Sequence, residues 1–423
     1  MPNRSSLLIT CYLIFAVWLL PGCQALSSLV PGTTSPLDAT PVPTAALDES
    51  EQESLVMGVP PGPVLTIAPL PDGEYLVGVG PVGDAETGFE WGLYGGRGDD
   101  WRLLTWPAEA IPRSLHPLAS GDRPPFGDRF FAVPFSNALF GRGQAWGLLR
   151  STDGGRSWEQ TLTGLGDPYV MDLALATTVS EEEGTLFAVT WYSGIYRSAD
   201  GGETWESMPL DETEVEPSGG ANPYDLAVAV SPGYGDPEED GGVVMASFSH
   251  GLHRWDPATE AWQTVPLTVT ATLEDFEPPE AQLTAGEIAF SPNFSEDGTI
   301  YLQSGYAGLF RSTDRGETWG RIDRRLPLPP PFVTDFFLEV VSADEAYVLL
   351  DTDETDPRLG RPVRILYRTQ DGGKSWERLV TPPTLGWVSA FALTRDGQDR
   401  VVLHLGGSQG GVSSHLAETL SWD

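Results

Sequence analysis

Four aspartates recur in nearly the same nine-residue setting. Asp153 stands in Arg150 to Trp158 (R-S-T-D-G-G-R-S-W) and Asp200 in Arg197 to Trp205 (R-S-A-D-G-G-E-T-W). Asp314 stands in Arg311 to Trp319 (R-S-T-D-R-G-E-T-W) and Asp371 in Arg368 to Trp376 (R-T-Q-D-G-G-K-S-W). A carboxylate in such a window can exchange protons with a substrate, or it can accept the backbone N–H groups of a tight turn whose glycine takes positive φ. Asp153, Asp200, Asp314 and Asp371 are read as turn-formers. Trp158, Trp205, Trp319 and Trp376 are read as rings that return to cover the apolar side of each hairpin.

Other residues bear on binding. The segments Trp191-Tyr192-Ser193, Ser247-Phe248-Ser249-His250 and Ser304-Gly305-Tyr306 join aromatic rings to small hydroxyl residues. Rings offer apolar faces and hydroxyls adaptable hydrogen bonds, which suits sugar rings or peptide side chains. Trp191, Tyr192, His250 and Tyr306 are the candidate ligand-binding residues. Asp351, Asp353, Glu354 and Asp356 are dense enough in carboxylate oxygen for calcium to be weighed, although their spacing does not fit an EF-hand loop and a solvated acidic loop is the plainer reading. No cofactor and no metal site is otherwise implied. The segment G-x-S-x-G is absent and the five histidines are scattered, so no nucleophile is assigned. A carboxylate pair suited to glycoside hydrolysis could exist among 60 acidic residues, but the sequence does not pick it out.

The elements that would position these residues follow from the repeat. Degenerate copies close at Trp101, Trp262 and Trp422, so seven tryptophans mark seven units, and Trp262, Trp319 and Trp376 are 57 residues apart. Regular self-similarity of this length implies stacked or radially arranged supersecondary units. Within a unit, Gly286 to Phe290, Gly298 to Leu302 and Gly308 to Arg311 read as short strands, and a last strand follows the tryptophan. Four antiparallel strands per repeat make a propeller blade. The fold class expected is all-β: a seven-bladed β-propeller of four-stranded antiparallel blades over 54–423. Too few residues follow Trp422 for a fourth strand in blade seven, so Ser54 to Val59 is expected to supply it and close the ring. The 48 glycines and 37 prolines spread through the array exclude long helices.

The repeated window resembles the Asp-box, or BNR repeat, S/T-x-D-x-G-x-T/S-W, with Arg315 at a variable position as the departure. The resemblance implies the propeller fold. It is shared by sialidases, sortilin-like receptors, xyloglucan-cleaving glycosidases and photosystem II assembly factors, so it does not fix an activity. The F/Y-R-I-P segment of the sialidases is missing, since Ala110-Ile-Pro-Arg113 has the wrong order. The xyloglucan enzymes use aspartates between two complete propellers, and this chain has room for one.

Composition and the N-terminal segment bound the rest. A formal net charge of -36 repels nucleic acid and anionic membrane surfaces. Residues 1–22 carry Arg4 and an apolar run, Leu7 to Leu20, the layout of an export signal. The segment ends Leu20-Pro21-Gly22-Cys23, which resembles a bacterial lipobox and implies lipid attachment at Cys23. The other cysteine, Cys11, lies in the segment that would be removed, which leaves no disulfide and no cysteine chemistry. Residues 23–53, rich in Pro, Ser, Thr and Ala, read as a disordered tether. The sequence therefore describes an exported, membrane-anchored propeller on the extracytoplasmic side, acting as a binding or assembly platform for a protein or glycan. A glycoside hydrolase working through acidic residues in the propeller mouth is the alternative.

Overall fold

The computed structural model describes residues 62–423 apart from 71–72, 85–87, 98–99, 108–110, 118–129, 136–146, 177–183, 209–225, 235–241, 249–250, 258, 266–285, 305–307, 324–325, 327–336 and 356–361. The described residues form six four-stranded sheets and one three-stranded sheet, each an antiparallel meander paired in chain order. The first strands of the sheets are Val64–Pro69, Ile111–Pro117, Val170–Ala176, Ala227–Val230, Glu287–Phe290, Phe337–Val340 and Val388–Arg395. These first strands pack from blade to blade, and Val64–Pro69 touches both Ile111–Pro117 and Val388–Arg395. They are the inner wall of a seven-bladed propeller, as the repeat implied.

The core is divided into wedges, and each wedge lies between two blades rather than inside one. Phe131, Val133 and Leu148 of blade two meet Val170, Leu173 and Leu186 of blade three around Trp205. Ala229, Met245 and Leu252 of blade four meet Ile288, Ile300 and Phe310 of blade five around Trp319. The tryptophans fill the gap between their own blade and the one before it, because a flat four-stranded sheet has no interior of its own and can bury its apolar face only against a neighbour. Trp376 Nε1 accordingly donates to Ile322 O of blade five at 2.9 Å, and Trp262 Nε1 to Met208 O of blade three at 3.2 Å.

The last wedge closes the ring. Val64, Ile67 and Val77 of blade one pack on Ala390, Ala392 and Val412 of blade seven, and Ser389 Oγ donates to Val64 O at 2.7 Å. A fully buried Leu, Ile or Val contributes roughly 1.5–3 kcal/mol, so an open ring would leave one such face in water. Among the described residues blade seven has three strands, Val388–Arg395, Val401–Gly407 and Val412–Leu416. The segment Ser54 to Val59, expected as its fourth, lies outside the described residues. The chain end does not take that place. After a short 3-10 turn at Ala417–Thr419 it runs back to blade six, where Arg378 N donates to Asp423 O at 2.7 Å and Asp423 N to Arg378 O at 2.8 Å. Trp422 lies there beneath Arg368, whose guanidinium carbon is 4.3 Å from the ring centroid.

Inner strands have one edge without a sheet neighbour, and their backbone groups need other partners. Acidic side chains of one blade serve the next: Asp172 Oδ2 accepts Val228 N at 3.0 Å, and Glu287 Oε2 accepts Leu338 N at 3.0 Å.

Candidate functional site

The four repeated aspartates are bound up in their own turns. Asp153 Oδ1 accepts Ser151 Oγ and Ser157 N, both at 2.9 Å, and its Oδ2 accepts Ser157 Oγ at 2.6 Å. Asp200, Asp314 and Asp371 repeat this pattern with Thr204, Thr318 and Ser375. Desolvation pushes the carboxyls of Asp153, Asp200 and Asp314 up, and the hydrogen bonds from the following Ser or Thr outweigh it, so each lies below the ordinary value. At Asp371 the hydrogen bond from Ser375 is the largest influence, and the shift is again downward. A carboxylate so occupied is a poor proton carrier at neutral pH.

Gly155, Gly202, Gly316 and Gly373, each two residues after the Asp, donate their N–H to the Ser or Thr two residues before it, as Gly202 does to Ser198 Oγ at 2.8 Å. The residue directly after the Asp takes positive φ, at 74° in Gly154, 67° in Gly201 and 71° in Gly372, and Arg315 adopts the same conformation at 62°. Its guanidinium donates to Ser295 O at 2.8 Å and lies 5.4 Å from the centroid of Phe294. Those contacts offset a backbone cost of roughly 1–2 kcal/mol.

The opposite end of blade three carries the aromatic residues. Gly201 N donates to Gly184 O at 3.3 Å, which puts the Asp200 turn beside the end of the first-to-second strand loop. Trp191, Tyr192 and Ser193 join Thr185–Thr190 to Gly194–Ser198 and therefore stand at the other end, with the connection arriving from blade two. That connection brings two residues the sequence reading did not single out, Asp167 and Tyr169. Asp167 Oδ1 accepts Tyr169 N at 2.8 Å and its Oδ2 accepts Tyr192 N at 3.2 Å, so one carboxylate ties the connection to the turn. Trp191 N donates to Tyr169 O at 2.9 Å.

The rings of Tyr169 and Tyr192 meet edge to face with centroids 5.7 Å apart, and Trp191 lies 6.0 Å from Tyr192 at a tilt of 48°. Trp191 is partly buried against the wedge between blades three and four. Tyr192 is 56% exposed, one of three large apolar residues so exposed among the described ones. The structure thus brings Trp191 and Tyr192 together and adds Tyr169 and Asp167. His250 and Tyr306 lie outside the described residues, as does Cys23. No periodic signal marks the connection around Asp167, because its residues are set by the path between blades and not by the repeat.

Asp351 is buried and receives Arg364 Nε at 2.8 Å, so a guanidinium already occupies that part of the acidic stretch read for calcium. Glu354 takes a backbone contact, its N–H donating to Thr352 Oγ1 at 3.3 Å, and Asp356 lies outside the described residues. Glu339 lies on the inner strand of blade six, Phe337–Val340, and is exposed. Desolvation pushes its carboxyl up to about 7.

No family model matches the chain, and no curated protein matches it. Solved structures do. A GH74 xyloglucanase from Xanthomonas campestris superposes with a TM-score of 0.53 at 19% identity, over 87% of this chain and 55% of that one. A GH74 enzyme from Niastella koreensis superposes with a TM-score of 0.53 at 14% identity, over 88% and 55%. YCF48 bound to a D1 peptide gives 0.49 at 16% identity, over 86% and 96%. At these identities the likeness is one of fold, and the chain spans about half the length of the two GH74 enzymes.

Proposed function

We propose that the chain is an exported propeller, anchored through lipid at Cys23, that works as a binding or assembly platform for a protein or glycan ligand. The observation that carries the reading is the exposed ring of Tyr192, held by Asp167, Tyr169 and Trp191 at the end of the blade opposite the Asp200 turn. Loops on a rigid scaffold are where binding residues concentrate. An exposed aromatic fixed by its neighbours loses little conformational freedom when a ligand covers it, which makes it an effective contact. Residues 23–53 would form the tether between the anchor and the ring, and 54–423 the ring itself.

The test is affinity capture on the immobilised chain, run against envelope proteins and a polysaccharide panel, beside a Trp191→Ala, Tyr192→Ala double variant. Retention that disappears in the variant is the expected result. Retention unchanged by the variant would place the binding face elsewhere, and absence of any retained molecule would remove the reading.

A glycoside hydrolase is the second reading, and Glu339 is what favours it. A carboxyl pushed up to about 7 is protonated in about half of the molecules at neutral pH, the form a general acid needs. Hydrolysis of a reporter glycan by the chain, abolished in Glu339→Gln, would put this reading first. A panel of glycans left intact over long incubation would remove it.

A further inference from the structure

The chain repeatedly packs a guanidinium between an aromatic ring and a carboxylate. Arg311 lies 5.8 Å from the ring centroid of Tyr301 and bonds Asp344 at 2.9 Å. Arg364 lies 5.6 Å from Phe337 and bonds Asp351 at 2.8 Å. Arg368 lies 4.3 Å from Trp422 and bonds Glu377 at 2.6 Å. The ring face attracts the cation through its quadrupole and the carboxylate through its charge.

The Tyr192 cluster has the same two receptive parts. Tyr192 and Tyr169 meet at an interplanar angle of 82°, which leaves a corner walled by two rings, and Trp191 flanks it. Asp167 accepts the backbone N–H groups of both Tyr169 and Tyr192, which holds its carboxylate beside the two residues that carry the rings. Each of its oxygens takes one of those hydrogen bonds and retains further lone-pair capacity. Tyr192 is 56% exposed, so part of its surface is open to a ligand. Around it, a chain of net charge -36 draws cations toward its surface.

We infer that this corner recognises a cationic side chain, the guanidinium of Arg or the ammonium of Lys, presented by a peptide or protein. The inference rests on the platform reading and gives its ligand a chemistry. Sugar hydroxyls would use the ring faces and leave the Asp167 charge without a counterpart. A cationic side chain uses both, and its ordered position follows from the geometry that holds Arg311 between Tyr301 and Asp344.

The test is calorimetric titration of the full chain with the tripeptides Gly-Arg-Gly, Gly-Lys-Gly and Gly-Gln-Gly, each N-acetylated and C-amidated so that only the side chain carries charge and the last is neutral. The cationic tripeptides are expected to bind about threefold to fivefold more tightly than the neutral one, the range set by an exposed cation–π contact. Asp167→Asn and Tyr192→Leu should each remove that preference, whereas Tyr192→Phe, which retains the ring, should preserve it. Asp399→Asn removes one equally negative but remote charge, 82% exposed, and should change nothing.

Equal loss in Asp399→Asn would mean attraction to the overall charge and would overturn the inference. Equal, Tyr192-dependent binding of all three tripeptides would overturn it while leaving the platform reading in place. A glycan captured through Tyr192 in a chain indifferent to all three tripeptides would do the same, and Tyr192-independence of every ligand would overturn both. Circular dichroism of each variant, unchanged from the parent, separates lost recognition from lost folding.

Discussion

Tyr75 in blade one and His404 in blade seven, 329 positions apart in the chain, meet with Tyr75 Oη 3.0 Å from His404 Nδ1. Ser414 Oγ completes the contact at 2.9 Å from the same nitrogen, and Thr394 Oγ1 lies 2.7 Å from Nε2. Both imidazole nitrogens are thus engaged where the ring closes. Desolvation, with the nearby His415 charge adding to it, lowers the His404 pKa from 6.5 to about 4. Between those values the unfolded chain binds a proton that the folded chain refuses, so stability is full above pH 6.5 and falls as the pH drops toward 4. The loss amounts to about 3 kcal/mol at completion. His415 is lowered by desolvation as well and acts in the same direction. Glu339 acts oppositely, since its carboxyl is raised from 4.5 to about 7. Comparison with His404→Gln isolates the His404 contribution. The thermal midpoint of the parent should exceed that of the variant at pH 7.5, and the gap should narrow from pH 6.5 to 4. A gap independent of pH would count against this role for His404.

Gly202 should not tolerate a side chain. It has φ of 83°, and a Cβ there would lie 2.7 Å from Phe131 Cε1 of the preceding blade, a fully buried ring. Gly202→Ala is expected to cost about 2–4 kcal/mol, from backbone strain and overpacking together. Gly397→Ala, at a position with open space around it, should stay within about 0.5 kcal/mol. Chemical denaturation of the two variants measures the contrast, and equal midpoints would refute it.

Much of this was legible in the sequence, and the limits have physical causes. Strand order, blade number and the turn role of Asp153 follow from local patterns, because a hairpin is specified by the residues within it. That Gly155, Gly202 and Gly373 must lack side chains for the sake of Leu76, Phe131 and Ile322 was not legible, since those contacts join neighbouring blades. The wedge packing of Trp205 and Trp319 was hidden for the same reason. Trp191 and Tyr192 stood out as an aromatic pair, whereas Asp167 and Tyr169 lie in a connection whose course is decided by how two finished blades sit together.

Trp205 and Trp319 hold corresponding places, yet their indole nitrogens differ. Trp319 Nε1 donates to Gly316 O at 3.1 Å, while the buried Trp205 Nε1 has no partner among the described residues. Trp319→Phe loses volume and leaves Gly316 O with one bond fewer, an expected cost of about 2–3 kcal/mol. Trp205→Phe loses the same volume but also removes a buried donor whose desolvation costs about 1–3 kcal/mol, so its net effect should be near 1 kcal/mol. Urea midpoints in the reverse order would contradict this account.

The outer edge of Val412–Leu416 has no fourth strand among the described residues, and the chain end is committed to blade six. We expect Ser54 to Val59 to pair along that edge. Deletion of 52–60 should therefore lower the thermal midpoint by several degrees, the shift that a few kcal/mol produces in a domain of this size. A deletion variant that melts with the parent would show that the edge is left unpaired or is covered by another segment.

Within the candidate site, Tyr192 and Trp191 should separate binding from stability. Trp191 is half-buried against the cluster that contains Met171 and Trp262, so Trp191→Ala should cost about 2–3 kcal/mol as well as disturb the site. Tyr192 is 56% exposed and its ring meets Tyr169 and Trp191, so Tyr192→Ala should cost less than about 1 kcal/mol. Loss of ligand retention in Tyr192→Ala, at a nearly unchanged thermal midpoint, assigns the effect to the exposed ring itself. Should Tyr192→Ala destabilise the chain as much as Trp191→Ala, the ring would be a packing element, and binding would have to be sought at another part of the propeller.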